Sequence, residues 1–199
     1  MASNPSDNPV VLSRIYTRTG DDGTTALADG TRTAKTDTRL AAYADVEEAN
    51  CAIGVAISIG QPGPELSGLL SRIQNELFDV GADLANPVTD RPPPFPPLRI
   101  DETYISRLER ACDQYNEGLP VLRSFVLPGG TPAGALLHSA RTVTRRAERS
   151  AWAAANEHGD TVNPLTATYL NRLSDLLFIL GRRVNAGHGD VLWKPGGER

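Results

Sequence analysis

The chain is short of cysteine, histidine and aromatic residues, and each shortage removes a class of function. Its two cysteines, Cys51 and Cys112, have no CxxC spacing and no metal-type neighbours, so reduced thiols are expected rather than a disulfide framework or a zinc site. Three histidines, His138, His158 and His188, leave little acid–base equipment. None of them follows a glutamate by three residues, which removes the Glu-x-x-His pairs of a di-iron carboxylate bundle. A Walker A loop, GxxxxGK followed by Ser or Thr, occurs nowhere. No apolar run approaches the length of a membrane span, and no charged segment followed by an apolar one opens the chain. A net charge of −4 argues against a general nucleic-acid binder. These absences lead to the expectation of a soluble, cytoplasmic protein, and 199 residues suit one domain.

What is present is an arginine-rich stretch, Arg141 to Arg149, inside a run from Ala135 to His158 that no Gly or Pro interrupts. Helical spacing puts Arg141, Arg145 and Glu148 within about 60° of one another, with Arg149 roughly 40° further round. Arg146 points away from that face. Clustered guanidiniums repel unless an anion sits among them, and Arg suits bidentate capture of phosphate. A solvated basic face paired by Glu148 satisfies the same spacing.

The rest of the chain reads as follows. Residues 1–12 form a loose tail, and 13–190 a single domain that opens with a loop over 15–35. That loop, rich in Gly, Thr and Asp, can expose backbone N–H groups to an anion, or be an ordinary turn-rich segment. A first helix spans 37–59 with an apolar stripe of Ala42, Val46, Ala49, Ile53, Ala56 and Ile57, and with Glu47, Asn50, Cys51 and Gly54 opposite. A second, striped by Leu66, Leu69, Leu70, Ile73, Leu77 and Val80, follows Pro64 and ends near Ala85. Residues 86–97 are a proline-rich, exposed connection. Asp101 caps a third helix ending near Gly118, and a turn over 125–131 leads into the arginine helix. Asn163-Pro164 starts a fifth helix that runs to about Asn185. It sets Asn171, Asp175, Phe178 and Arg182 opposite a leucine face. Residues 191–199 are a C-terminal tail. No strand pattern competes, so the fold class is all-α, a five-helix bundle.

Five ordered blocks, IYTRTGDDGTT, AYADVEEAN, IQNELFDVGADLA, FVLPGGTPAGALLHSARTVTRRAER and YLNRLSDLLF, resemble the PduO-type ATP:cob(I)alamin adenosyltransferases, which include the human methylmalonic aciduria type B protein. The resemblance implies a ferritin-like five-helix bundle, a homotrimer, and ATP at the subunit interface. It implies an alkyl transferase that moves the 5′-deoxyadenosyl group of ATP to cob(I)alamin, releasing triphosphate. ATP contacts are implied for Thr17, Arg18, Thr19, Gly20, Thr25, Ala26, Lys35, Arg145, Arg146, Glu148, Arg149 and Asn171. Phe125, Phe178 and Asp175 are implied at the cobalamin, and Glu47 and Arg141 as an interface pair that serves catalysis with Arg145 and Phe125. Mg²⁺ is implied with the nucleotide, its protein ligands unassigned. A reductase supplying cob(I)alamin and an adenosylcobalamin-dependent mutase receiving the product are the implied partners, with no nucleic acid and no membrane. The chain departs from the pattern at Arg18, where Lys is usual, at Asp22, where Lys is common, and at Glu47, where Asp is usual. His138 is expected to make a structural hydrogen bond. A bundle that senses nucleotide without transferring anything remains the competing reading.

Overall fold

The computed structural model describes residues 15–90 and 96–196; the expected N-terminal tail and part of the proline-rich connection lie outside them. Five helices form, α1 (Thr38–Ser58), α2 (Pro64–Leu84), α3 (Glu102–Asn116), α4 (Pro132–His158) and α5 (Leu165–Val184). A small antiparallel hairpin precedes them, β1 (Thr24–Ala26) with β2 (Arg32–Ala34), in the register Thr24 to Ala34. The hairpin corrects the expectation of a strandless chain. Strands of three residues are too short for a period of two to register in sequence.

The helices pack in the order α2, α1, α4, α5, α3. End contacts fix their directions. Arg39 at the start of α1 reaches Leu84 O at the end of α2 (2.9 Å), and His158 at the end of α4 meets Asp37 before α1 (2.8 Å). These neighbours therefore run antiparallel, whereas α3 and α5 run side by side, tied at their starts by Asn163 Nδ2 donating to Ile100 O (2.8 Å). The centre of the bundle is the α1–α4 seam. Ala42, Ala49 and Ala56 of α1 and Ala140, Ala147, Ala151 and Ala154 of α4 are all buried, and their small side chains let the two helices approach closely. Leu137 and the leucine face of α5 fill the space around the seam, each such side chain contributing about 1.5–3 kcal/mol on burial.

The helix boundaries follow from their caps. Asp37 accepts from Arg39 N and from Thr33 Oγ1, and Asp101 accepts from Thr103 N at 2.9 Å. Pro132 and Gly159 bound α4, with Thr131 Oγ1 accepting from Gly134 N. Asp101→Ala should lower stability through the loss of one N-cap. Urea denaturation checks it, as a lower midpoint at unchanged slope.

A buried carboxylate secures the connection between α2 and α3. Asp83 accepts from Arg99 Nη1 (2.6 Å), Ile100 N (2.7 Å) and Asn163 Nδ2 (2.7 Å). Asn50, expected on a free polar face of α1, is instead buried and bonded to α2. Its amide donates to Gln74 O at 2.9 Å, while Gln74 donates back to Asn50 O at 3.2 Å.

Candidate active site

The loop expected to meet an anion leads into the hairpin at the start of α1. Residues Ile15 to Thr19 are exposed, Thr17 and Thr19 hydroxyls bond each other at 2.9 Å, and Arg18 sits in the left-handed region with φ 61°. A Cβ on Gly20 would lie 2.9 Å from Thr24 O and 3.1 Å from Lys35 Nζ, so only glycine lets the loop close over that lysine. Thr25 and Lys35 line a hollow of about 320 Å³ with Thr36 and Tyr43. Ala26 is exposed at the end of β1.

Asp22, the acidic departure in this loop, is spoken for. Its carboxylate accepts from Thr24 Oγ1 (2.8 Å) and Thr24 N (3.0 Å) and faces Arg32 at 3.5 Å. The threonine hydroxyl, followed by the backbone bond, holds its pKa below the usual carboxylate range. Asp22 therefore builds the turn that starts the hairpin.

The structure divides the arginine stripe of α4 in two. Arg145, Arg146, Glu148 and Arg149 line a cleft of about 360 Å³ with Thr142 and with Asn171 of α5. Asn171 Nδ2 donates to Glu148 Oε1 at 3.1 Å, which turns the one carboxylate of that lining toward α5. Arg146 pairs with Glu48 and lies 3.7 Å from Asp45, both on α1, as its helical phase foretold. Arg145 and Arg149 have no hydrogen-bond or ion-pair partner among the described residues. Two free guanidiniums in one cleft favour a polyanion.

Arg141 belongs elsewhere. It lines a cavity of about 710 Å³ with Phe125, Phe178 and Trp193, its guanidinium 5.9 Å from the Phe178 ring centre. Its Nε is buried without a hydrogen-bond partner, and burial, then the charge of Arg145, lowers its pKa. Behind Phe178 lies His138, 1% exposed, its ring 5.9 Å from the phenyl centre. The hydrogen bond expected of His138 is not made; both ring nitrogens lack a partner. Burial first, then Arg141, pushes its pKa down, so the imidazole is neutral and packs as a flat filler against Gly181.

The remaining expected residues are dispersed. Glu47 stands on the rim of a separate groove between α1 and α2, beside Tyr43, Val46, Leu77 and a Phe78 that is 73% exposed. It makes no ion pair among the described residues, and within one chain it does not meet Arg141. Asp175 is exposed on α5 and lines neither the arginine cleft nor the aromatic cavity. No group of three or more His, Cys, Asp or Glu among the described residues forms a metal site, and none of their helices is long and apolar enough to cross a membrane.

The sequence profile of the cobalamin adenosyltransferases matches residues 15–184, from the loop through α5. The chain belongs to the cobalamin adenosyltransferase family. Among similar members, the corrinoid adenosyltransferase of Mycobacterium tuberculosis is 63% identical over 190 residues, 96% of this chain and 97% of the relative. That of Bacillus subtilis is 44% identical over 183 residues, 89% and 91% of the two chains. In structure, a variant PduO-type ATP:corrinoid adenosyltransferase from Lactobacillus reuteri, complexed with cobalamin and ATP, superposes with a TM-score of 0.81 at 35% identity. The match covers 92% of this chain and 97% of that one.

For a cobalamin adenosyltransferase, sequence reasoning missed the residues that hold the aromatic cavity together. Residues 191–193, read as tail, pair with the segment before α4 through a Val126–Leu192 bridge, with Leu127 N donating to Val191 O (2.8 Å) and Trp193 N to Phe125 O (2.8 Å). Arg182, read as part of a polar face, is 5% exposed; it donates to Asp190 Oδ2 (2.8 Å) and Pro120 O (2.7 Å). Nothing in the helical pattern separates such an arginine from a solvated one.

Proposed function

We propose that the chain transfers the 5′-deoxyadenosyl group of ATP to cob(I)alamin, forming a cobalt–carbon bond as the C5′–oxygen bond to triphosphate breaks. The supporting observation is the division of the α4 arginines between a polar cleft and an aromatic cavity one helical turn away. Cob(I)alamin is itself a strong nucleophile, so the protein need supply no base, in keeping with a neutral, buried His138. What the reaction asks for is alignment and charge. Arg145 and Arg149 would neutralise the departing triphosphate, with Arg146 on the rim and Asn171 orienting Glu148. Glu148, the one carboxylate of the cleft, would be the side chain offered to a Mg²⁺ ion accompanying the nucleotide, which would help neutralise the triphosphate. Phe125 and Phe178 would cover the corrin on its lower side.

Thr25 and Lys35 of the loop and the residues of the Arg145–Asn171 cleft line separate hollows. This supports a nucleotide bound between copies, and we assign the exposed α1–α2 groove with Glu47 to that contact in a homotrimer. Thr17, Arg18, Thr19, Gly20, Thr25 and Ala26 would close over the nucleotide from one subunit, with Lys35 on its phosphates.

Mixing the protein with ATP and chemically reduced cobalamin tests the reading: the adenosylcobalamin spectrum should develop. Nucleotide binding with no such product would leave a sensing bundle instead. If the two phenylalanines keep water and the nitrogenous ligand from cobalt, Phe125→Ala and Phe178→Ala should lower the four-coordinate cob(II)alamin signal of the ATP complex roughly tenfold or more, on the ~1.5–3 kcal/mol that covering a phenylalanine contributes. Reaction from pre-reduced cob(I)alamin should suffer less. An undiminished signal in both variants removes them from that face.

A further inference from the structure

We infer that Trp193 is a positioning residue of the corrin site, acting through Phe125 as the outer member of a two-strand flap. The inference rests on the adenosyltransferase reading and extends it to a segment after α5. Phe125 is 77% exposed and sits on a segment outside the helices, so no core contact fixes its ring. What fixes it is the second strand. Trp193 N donates to Phe125 O (2.8 Å), Ser124 Oγ donates to Trp193 O (2.8 Å), and the two rings meet at 6.0 Å and 58°. That is the tilted geometry in which aromatic pairs attract beyond their buried area.

The flap is anchored where the two strands leave the bundle. One buried guanidinium, Arg182, holds Pro120 ahead of the Phe125 strand and Asp190 ahead of the Trp193 strand. Beyond Phe125, Asn185 takes over: its Oδ1 accepts from Thr131 N (2.9 Å) and its Nδ2 donates to Gly129 O (2.8 Å). Both strands are thus tied at their roots to the end of α5, while their aromatic side chains, Trp193 at 44% exposure, remain open to the cavity. A wide, flat, largely apolar ligand would cover both rings at once, and a Phe125 without its partner would swing.

Trp193→Ala should therefore lower the four-coordinate cob(II)alamin signal of the ATP complex roughly 2- to 10-fold, the equivalent of one aromatic pair. Trp193→Phe should restore most of it, and turnover from pre-reduced cob(I)alamin should change far less. The chain has only one other tryptophan, Trp152 on α4, so Trp152→Phe leaves Trp193 as the sole reporter. Its emission should be strongly quenched when cobalamin binds, because the corrin absorbs where indole emits. A Trp193→Ala protein with an undiminished four-coordinate signal, or Trp193 emission untouched by saturating cobalamin, overturns the assignment. Should the alanine variant fail to fold, the Trp152→Phe quenching measurement still decides. Wild-type protein that forms no adenosylcobalamin would instead sink the functional reading itself.

Discussion

Arg145→Ala is expected to lower turnover at saturating ATP by roughly 30-fold or more, on the ~2–5 kcal/mol that one charge-assisted contact contributes in a water-excluded site. The arginine is exposed in its cleft and has no partner among the described residues, so its removal breaks no internal bond. The loss should fall on the rate, because charge on the leaving oxygen grows as the C5′–oxygen bond breaks. Arg146→Ala is the internal comparison. Its side chain is engaged by Glu48 and Asp45 of α1, and an exposed ion pair contributes little, so its effect on rate should be clearly smaller. Steady-state kinetics with both variants decide the matter. Near-normal turnover of Arg145→Ala at saturating ATP would remove Arg145 from the site.

The other large effect is expected at Glu47 and Arg141. Arg141 carries a buried Nε with no partner, and burial already weighs against its charge; Glu47 stands unpaired on the rim of an apolar groove. Each lacks among the described residues what the other offers. If they meet across a subunit contact, either single alanine change leaves an uncompensated charge and should cost roughly 2–5 kcal/mol. Activity should fall sharply and a homotrimer built on that contact should weaken, as sedimentation would register. The double variant should be little worse than either single one. Glu47→Asp should be mild, since it shortens the reach without removing the charge. Simple addition of the two single effects would show that the residues are not partners.

Much of the fold was legible because long amphipathic helices write their period many times over. The stripes of α1 and α2 fall on buried positions except at Ile57, which is half-buried, and Asp37, Asp101 and Asn163 begin their helices where short polar side chains can reach a free N–H. The site was legible where chemistry and period coincide, as for Arg145, Glu148 and Asn171, which share one cleft. It was illegible where a residue's role depends on a partner far along the chain. Trp193 follows a glycine-rich stretch that reads as an exit from structure, yet it pairs with a strand about 70 residues earlier. Asn50 and Arg182 sit at phases that suit solvent, and only the packing of α2 and of the terminal strand turns them inward. His138 illustrates the reverse error, since a buried imidazole beside an arginine and an aromatic ring need not find a hydrogen bond at all.

Arg141 and Arg145 are separated by four residues of an uninterrupted helix, about 6 Å along its axis. If the corrin lies at the first and the triphosphate at the second, α4 would act as a ruler engraved on the backbone. That interval is set by hydrogen bonds inside the helix, so no movement of the loop or of the flap would alter it. Adding one residue between the two marks would rotate one by about 100° against the other and carry one of them away from α5, which lines both hollows. Such a protein would have lost the means of introducing its two substrates to each other.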